Sequence, residues 1–153
     1  MPHRFAHHHS RIGFKGSMLG VGFNHQSNGR SEPSSRSWNR LFADIAIERG
    51  NFALQFKPWY RLEEDSKDDD NPDLEDYVGH YQLRLAYKWG EQVYSARGRY
   101  NHDSSKGGLE AGWSYPLGEQ VRFYFQLYSG YGETLIDYNH SQTRVGLGIM
   151  LND

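Results

Sequence analysis

The chain has no cysteine among its 153 residues. Disulfide scaffolds, thiolate zinc sites, iron–sulfur clusters and cysteine nucleophiles are therefore excluded. It also has no excess of charge of one sign, since 17 Lys and Arg stand against 19 Asp and Glu. A nearly neutral chain has no large electrostatic field with which to attract nucleic acid, so we expect no nucleic-acid partner.

Long hydrophobic runs are missing as well. The mean hydropathy is -0.85, and no stretch approaches the ~18 consecutive apolar residues of a membrane helix. Residues 1–16 contain no continuous apolar segment typical of a secretory signal. Aromatic residues (15%) and glycine (17 residues) are, by contrast, abundant. This composition is typical of β-rich proteins and fits a membrane barrel, whose strands are apolar on one face only.

Apolar side chains recur at every second position along most of the chain. In the clearest case the apolar positions are Tyr81, Leu83, Leu85, Tyr87 and Trp89, with polar or small residues between them. Such alternation predicts a strand with one apolar face. The same rule predicts eight strands, at residues 16–27, 37–48, 51–62, 77–89, 92–101, 108–116, 121–129 and 143–151.

Strand length and loop spacing predict the fold class. Strands of about 9–13 residues suit a bilayer, and the connections between them alternate between long and short. We therefore predict an all-β, antiparallel up-and-down transmembrane β-barrel that forms a single domain over residues 16–153. Residues 1–15, which include His7, His8 and His9, are predicted to be a leader or a fragment end outside the barrel.

Two further features of the pattern bear on this fold. The polar face carries residues such as Arg84, Arg97 and Glu110, which suit a wet lumen better than the interior of a soluble barrel or β-sandwich. Residues 63–76 hold nine of the 19 acidic residues. We expect this acidic segment to be a solvated outer loop rather than a cation site.

Three polar residues interrupt the apolar face near the first long connection. His25 and Ser27 share the parity of the apolar positions in the first strand, and Asn39 shares it in the second. Residues two apart on a strand lie about 6.6 Å apart on one face. A hydroxyl nucleophile, an imidazole base and an amide that orients the base together indicate serine-hydrolase chemistry. The alternative is ordinary polarity at a strand end, but polar groups on a lipid-facing surface are costly without a purpose.

The segments 24–31 and 33–40 closely resemble outer-membrane phospholipase A of Gram-negative bacteria. Further similar segments are Lys57-Pro58-Trp59-Tyr60, residues 70–73, 81–83, 128–133 and 135–146. The resemblance covers about residues 20–153. At one departure, Gln26 stands where the family carries Asp, and its side chain is expected to point into the barrel.

The resemblance implies a calcium-dependent hydrolase that acts on the sn-1 and sn-2 acyl esters of phospholipids. It further implies an integral protein of the bacterial outer membrane, with the site towards the outer leaflet and a homodimer as the active form. The family barrel has twelve strands, so this chain is expected to be a C-terminal fragment carrying about eight of them. Activity of the chain on its own is then expected to depend on the missing strands.

The resemblance also implies a set of site residues. Ser27 corresponds to the nucleophile, His25 to the general base and Asn39 to its orienting partner. The backbone amide of Gly29 corresponds to the oxyanion hole. Calcium is expected at the carbonyl oxygen of Arg30 and the hydroxyl of Ser35.

Two other functions remain open at this point. A non-catalytic outer-membrane barrel with a structural, adhesion or permeation role would not need aligned His, Ser and Asn side chains. A soluble barrel that binds an apolar ligand would require the apolar face to point inward.

Overall fold

The computed structural model describes residues 16–65 and 69–151, and it shows one antiparallel sheet in which eight strands follow one another in sequence order. The strands are β1 (Gly16–Ser27), β2 (Ser37–Arg49), β3 (Phe52–Leu62), β4 (Tyr81–Trp89), β5 (Gln92–Asn101), β6 (Lys106–Pro116), β7 (Val121–Gly130) and β8 (Gln142–Leu151). The predicted all-β antiparallel fold is confirmed. The predicted leader at 1–15, with His7, His8 and His9, lies outside the described residues, and the single domain over 16–153 stays a prediction.

Strand register places the apolar residues on one face, as the alternation predicts. Between β2 and β3, for example, Ile45 pairs with Phe56 and Ile47 with Leu54. Cross-strand pairs of this kind are the main source of sheet stability. The apolar face is turned outward, and on β1 Leu19 is 76% and Val21 83% exposed.

The opposite, polar face surrounds a cavity of about 410 Å³. At its centre the carboxylate of Glu110 accepts a hydrogen bond from Gln126 at 2.6 Å and pairs with Arg97. Polar groups shielded from bulk water need such partners to offset their desolvation. The soluble barrel with an apolar interior is therefore contradicted, because charged and amide side chains such as Arg97, Glu110 and Gln126 line this cavity.

The connections differ in length at the two ends of the sheet. The short turns at residues 50–51, 90–91 and 117–120 lie at one end, and the longer connections gather at the other, which we call the loop end. Gly50 and Gly90 have φ values of 61° and 60°, which glycine adopts most readily in tight hairpin turns. No pairing joins β1 to β8 within 16–65 and 69–151, so the sheet is not closed.

One element was not anticipated. A short helix, α1 (Leu74–Val78), precedes β4. β4 therefore begins at Tyr81, and the predicted start of this strand at residue 77 is wrong by four residues. Leu74 and Val78, four residues apart, are buried with Trp38, Trp59 and Tyr138 in a core at the loop end. Burial of these two side chains outweighs the alternating pattern of the adjoining strand. Within the described ranges, no helix has the length and apolarity needed to cross a membrane.

The second half of the acidic segment packs on the sheet. Asn71 is 0% exposed, and its side-chain oxygen accepts a hydrogen bond from the backbone N–H of Ser37 at 3.0 Å. Arg61 donates to the Asn71 carbonyl at 3.0 Å and to the Asp69 carboxylate at 2.7 Å. The expectation of a solvated outer loop is therefore wrong for residues 69–76, because these hydrogen bonds and α1 anchor the segment to β2 and β3.

Candidate active site

The register of β1 and β2 brings His25 and Asn39 together on the apolar face. The two residues are directly paired across the strands, and Ser27 is paired with Ser37 two positions further along. His25 Nδ1 and Asn39 Oδ1 lie 2.9 Å apart, which is hydrogen-bonding distance. His25 and Ser27 are exposed, and Asn39 is half-buried.

This contact is compatible with one tautomer of His25 when the Asn39 amide oxygen faces the ring. An amide oxygen can only accept a hydrogen bond, so in this orientation Nδ1 carries the proton. Nε2 is then unprotonated and free to accept a proton from a hydroxyl group. A histidine held in this form is a general base.

Ser27 lies beside the turn that leaves β1. Its Oγ accepts a hydrogen bond from the backbone N–H of Gly29 at 3.1 Å. Gly29 has φ = 67°, a left-handed conformation that favours glycine. Among the described residues no hydrogen bond joins Ser27 to His25, which lies two positions away on the same face. Hydrogen bonds between catalytic groups are often made only in the substrate complex.

Asn28 closes the connection between β1 and β2. Its Oδ1 accepts from the backbone N–H groups of Arg30 and Arg36 at 3.2 and 3.1 Å, and its Nδ2 donates to the Ser34 carbonyl at 2.7 Å. Asn side chains often organise turns in this way. The sequence analysis did not assign this role, although an Asn directly after a strand is a signal for it. Asn28 thus shapes the segment that carries Gly29, Arg30 and Ser35.

Ser35 points at a carboxylate that sequence analysis did not assign to the site. Its hydroxyl donates to Asp70 Oδ2 at 2.6 Å, across 35 residues of sequence. Glu32 lies close to the same carboxylate. Its pKa is raised because its side chain shares a hydrogen bond with Asp70 and because the negative charge of Asp70 opposes its ionisation. Hydrogen bonds from Ser35 and Glu32 lower the pKa of Asp70.

This donor set fits calcium. Carboxylate, hydroxyl and carbonyl oxygens are the hard ligands that calcium prefers, and the neighbouring carboxyl groups of Glu32 and Asp70 can both offer charged oxygens once they are ionised. Arg30 lies in the same connection and is exposed. Within 16–65 and 69–151, no three Asp, Glu or His side chains converge to form a metal site. Backbone carbonyls and waters would therefore have to complete the coordination.

A second carboxylate from the acidic segment reaches the apolar face. Asn39 Nδ2 donates to Glu64 Oε1 at 2.7 Å, and both side chains are half-buried. Glu64, Asn39 and His25 thus form a continuous chain of hydrogen bonds. Sequence analysis counted Glu64 only as part of the acidic segment, because no local pattern relates it to a residue 25 positions earlier.

Comparison with known proteins identifies similar sequences over most of the chain. A family model described as Phospholipase A1 matches residues 2–151. Phospholipase A1 of Salmonella typhimurium is 56% identical over 133 residues, which cover 87% of this chain and 45% of that protein. Phospholipase A1 of Escherichia coli K12 is 55% identical with the same coverage. The chain therefore spans about half the length of the curated relatives it matches.

Solved structures are similar to the same extent. Outer membrane phospholipase A from Escherichia coli has a TM-score of 0.82 and 54% identity, covering 88% of this chain and 51% of that one. The Salmonella typhi outer membrane phospholipase, solved as a dimer with bound calcium, has a TM-score of 0.81 and 54% identity over 92% of this chain and 55% of that one. A third structure is an active-site mutant of the Escherichia coli protein in which an asparagine is replaced by alanine. It has a TM-score of 0.81 and 52% identity, and the match covers 92% of this chain and 55% of that one.

Proposed function

The chain belongs to the phospholipase A1 family, and on this basis we propose that it hydrolyses acyl esters of phospholipids at the bacterial outer membrane, with Ser27, His25 and Asn39 as the reacting unit. The observation that carries the proposal is the 2.9 Å contact between His25 Nδ1 and Asn39 Oδ1 on an apolar face, beside an exposed serine. A mutant of a solved relative whose altered active-site residue is an asparagine adds support.

The proposed reaction begins at Ser27. His25 Nε2 takes the proton of the Ser27 hydroxyl as Oγ attacks the acyl carbonyl carbon. The backbone N–H of Gly29 would stabilise the oxyanion, a role supported by its position 3.1 Å from Ser27 Oγ. When the ester C–O bond breaks, His25 returns the proton to the leaving lysophospholipid and the acyl group stays on Ser27.

Water completes the cycle. His25 removes a proton from the water that attacks the acyl-enzyme, and Ser27 recovers this proton when the fatty acid leaves. Asn39 keeps the His25 ring in place and accepts the Nδ1 proton throughout. Its neutral amide stabilises the imidazolium less than a carboxylate would, but it costs less to bury.

Calcium would be held by the Arg30 carbonyl and by Glu32, Ser35 and Asp70. When bound, calcium supplies positive charge that stabilises the oxyanion, directly or through a bound water. The calcium-bound structure of a relative supports a calcium role, and the oxygen-rich set around Ser35 supports the location.

The apolar face provides the surface for the substrate. Val21 and Phe23 lie on the same strand and face as the proposed reacting residues, and both are exposed. A membrane-embedded sheet with its polar face inward would present this surface to the acyl chains of lipids. By the same reasoning we propose integral insertion in the outer membrane with the loop end towards the outer leaflet, and a homodimer as the active form, as in the dimeric relative.

The test is fatty-acid release from phospholipid in detergent micelles, with calcium or with chelator. Ser27→Ala should abolish calcium-dependent release. Ser17→Ala is the matched control, because Ser17 lies on the same face of β1 at its other end and should leave release unchanged. Equal release from the chain and from Ser27→Ala would favour the non-catalytic barrel with a structural, adhesion or permeation role. The same conclusion would follow if neither this chain nor a chain extended by the family's upstream strands released fatty acid, whereas release from the extended chain alone would support the proposal. Release from sn-1- and sn-2-labelled substrates tests the predicted action at both positions.

A further inference from the structure

Glu64 is the one carboxylate that the described structure places on the orienting residue of the proposed site. It lies two residues beyond the end of β3, and its Oε1 accepts from Asn39 Nδ2 at 2.7 Å. We propose that Glu64 is a positioning residue that holds the Asn39 amide with its oxygen towards His25. This inference rests on the proposed function and adds a fourth residue to it.

Sheet register explains how Glu64 reaches Asn39. Asn39 is paired with Leu62, the last residue of β3. Two residues further along, Glu64 has the parity of Leu62 and therefore leaves the sheet on the same apolar face. The three hydrogen-bonded side chains thus come from β1, β2 and the segment after β3, side by side.

An asparagine alone does not fix the tautomer of its histidine. A half-turn about the last side-chain bond exchanges the amide oxygen with the NH2 group, and both orientations fill the same space. The flipped Asn39 would donate to Nδ1 of His25, so the ring proton would move to Nε2. Nε2 is the nitrogen that must be unprotonated to act on Ser27, and the flipped form would therefore be inactive.

Glu64 removes this ambiguity. An ionised carboxylate has acceptors only, so the Asn39 NH2 group must face it. The amide oxygen then faces His25, and Nε2 is left unprotonated. Only this orientation of the Asn39 amide pairs a donor with an acceptor in both of its hydrogen bonds, to Glu64 and to His25.

The charge of Glu64 acts in the same direction. A negative charge beyond Asn39 favours the imidazolium that forms when His25 takes the serine proton. The cations of the adjoining strands β2 and β3, Arg40 and Arg61, have the parity of the opposite face of the sheet, and Arg30 lies in the exposed connection after β1. Arg40 packs on the rings of Trp38 and Trp59, and Arg61 pairs with Asp69. Glu64 is thus the charged group that His25 meets through its own hydrogen bonds.

The test compares Glu64→Ala and Glu64→Gln with Glu63→Gln, which removes the charge of the exposed neighbouring residue. At saturating calcium we expect Glu64→Ala to lower kcat about five- to tenfold, the effect of one lost hydrogen bond, with KM unchanged. Glu64→Gln, whose side-chain oxygen can still accept from Asn39, should recover part of the loss. Both variants should move the acid limb of the pH–rate profile to lower pH, and Glu63→Gln should match the unmodified chain.

A double-mutant cycle separates positioning from a general structural effect. In an Asn39→Ala background the Glu64→Ala change should lower kcat much less, because the hydrogen bond to Asn39 is already gone and only the longer-range effect of the Glu64 charge is left to lose. An equal loss with and without Asn39, or an unchanged kcat and pH profile in Glu64→Ala, would overturn the proposal.

A spectroscopic measurement distinguishes this proposal from the proposed function. In chain carrying 15N-labelled histidine, the His25 ring, assigned by its absence in His25→Gln, should be protonated at Nδ1 alone. In Glu64→Ala we expect a mixture of the two tautomers. This result would support the positioning role even if no variant released fatty acid, and an unchanged tautomer in Glu64→Ala would overturn it.

Discussion

Two clusters of polar side chains lie at the loop end of the sheet, and different parts of the backbone hold them in position. His25 and Asn39 stand on neighbouring strands whose register pairs them directly, whereas Glu32, Ser35 and Asp70 belong to two connections and meet across 35 residues of sequence. Strand pairing fixes a distance wherever the sheet forms. A site between loops depends on how the loops dock, so it can respond to an ion, a lipid or a second subunit.

This comparison suggests a division of labour. Under the proposed function, the strands supply a hydrogen-bonded relay, His25 and Asn39, that is present before any cation binds. The connections would supply an adjustable set of oxygen ligands. Changes on the strands should then alter the chemical step whatever the calcium concentration. Changes in the connections should alter the calcium concentration at which the reaction runs.

The largest effect is expected at the relay. His25→Ala removes the proposed general base and should lower fatty-acid release by about a thousandfold. High calcium should not restore release, because the calcium ligands remain intact. The measurement is the initial rate across a calcium series, with His140→Ala as the control at an exposed histidine in the connection before β8. If high calcium restored release by His25→Ala, the distinction between the strand residues and the residues of the connections would be wrong.

A smaller and different effect is expected at the connections. Asp70→Asn removes one of the charged oxygens proposed to hold calcium and should weaken calcium binding by about 10- to 100-fold. Saturating calcium should restore most of kcat, in contrast to His25→Ala. The measurement is the calcium concentration that gives half of the maximal rate. Asp103→Asn, in the exposed β5–β6 connection, is the matched control. A kcat that stays low at saturation would place Asp70 in the chemical step instead.

The pH dependence of calcium binding sharpens the same contrast. The pKa of Glu32 lies above its ordinary value of 4.5 because of its hydrogen bond to Asp70 and the charge of that residue. Calcium must displace the shared proton, so its affinity should rise with pH through the Glu32 pKa, by at most about tenfold per pH unit for one proton. Calcium titrations at several pH values measure the slope, and Glu32→Gln should flatten it. A slope unaffected by Glu32→Gln would assign the proton to another group.

The smallest effect is expected at the turn that joins the two groups. An added Cβ at Gly29 meets no atom within 4 Å, but the residue has a positive φ. Gly29→Ala should therefore cost about 1–2 kcal/mol of conformational strain without a steric clash. Chemical denaturation in micelles measures the loss. Gly20→Ala, also in open space but with an ordinary strand conformation, should be close to neutral, and equal losses in both variants would show that φ is not the cause.

The sheet and part of the relay could be predicted from the sequence. Alternation of period two is a local signal, and it located all eight strands and the face shared by His25, Ser27 and Asn39. It failed at α1, where Leu74 and Val78 follow a helical spacing in a segment too short to show a period. Leu74 and Val78 become buried only because the distant Trp38 and Trp59 are there to receive them.

The carboxylates of the site could not be predicted in the same way. Glu64 and Asp70 lie in one acidic segment, yet Glu64 reaches Asn39 and Asp70 reaches Ser35. Their separation depends on the docking of Asn71 against the start of β2. No spacing rule within the acidic segment distinguishes the residue that contacts Asn39 from the one that contacts Ser35.

Strand order also bears on the timing of assembly. Every strand pairs with its sequence neighbour, so the sheet can grow hairpin by hairpin from contacts that are short in sequence and quick to form. The contacts that complete the loop end span much longer stretches, such as the 65 residues between Asp73 and Tyr138. Closing such long loops carries a greater entropic cost. The loop-end core around Tyr138 should consequently form late in folding, after the ligands proposed for calcium, Ser35 and Asp70, which lie only 35 residues apart.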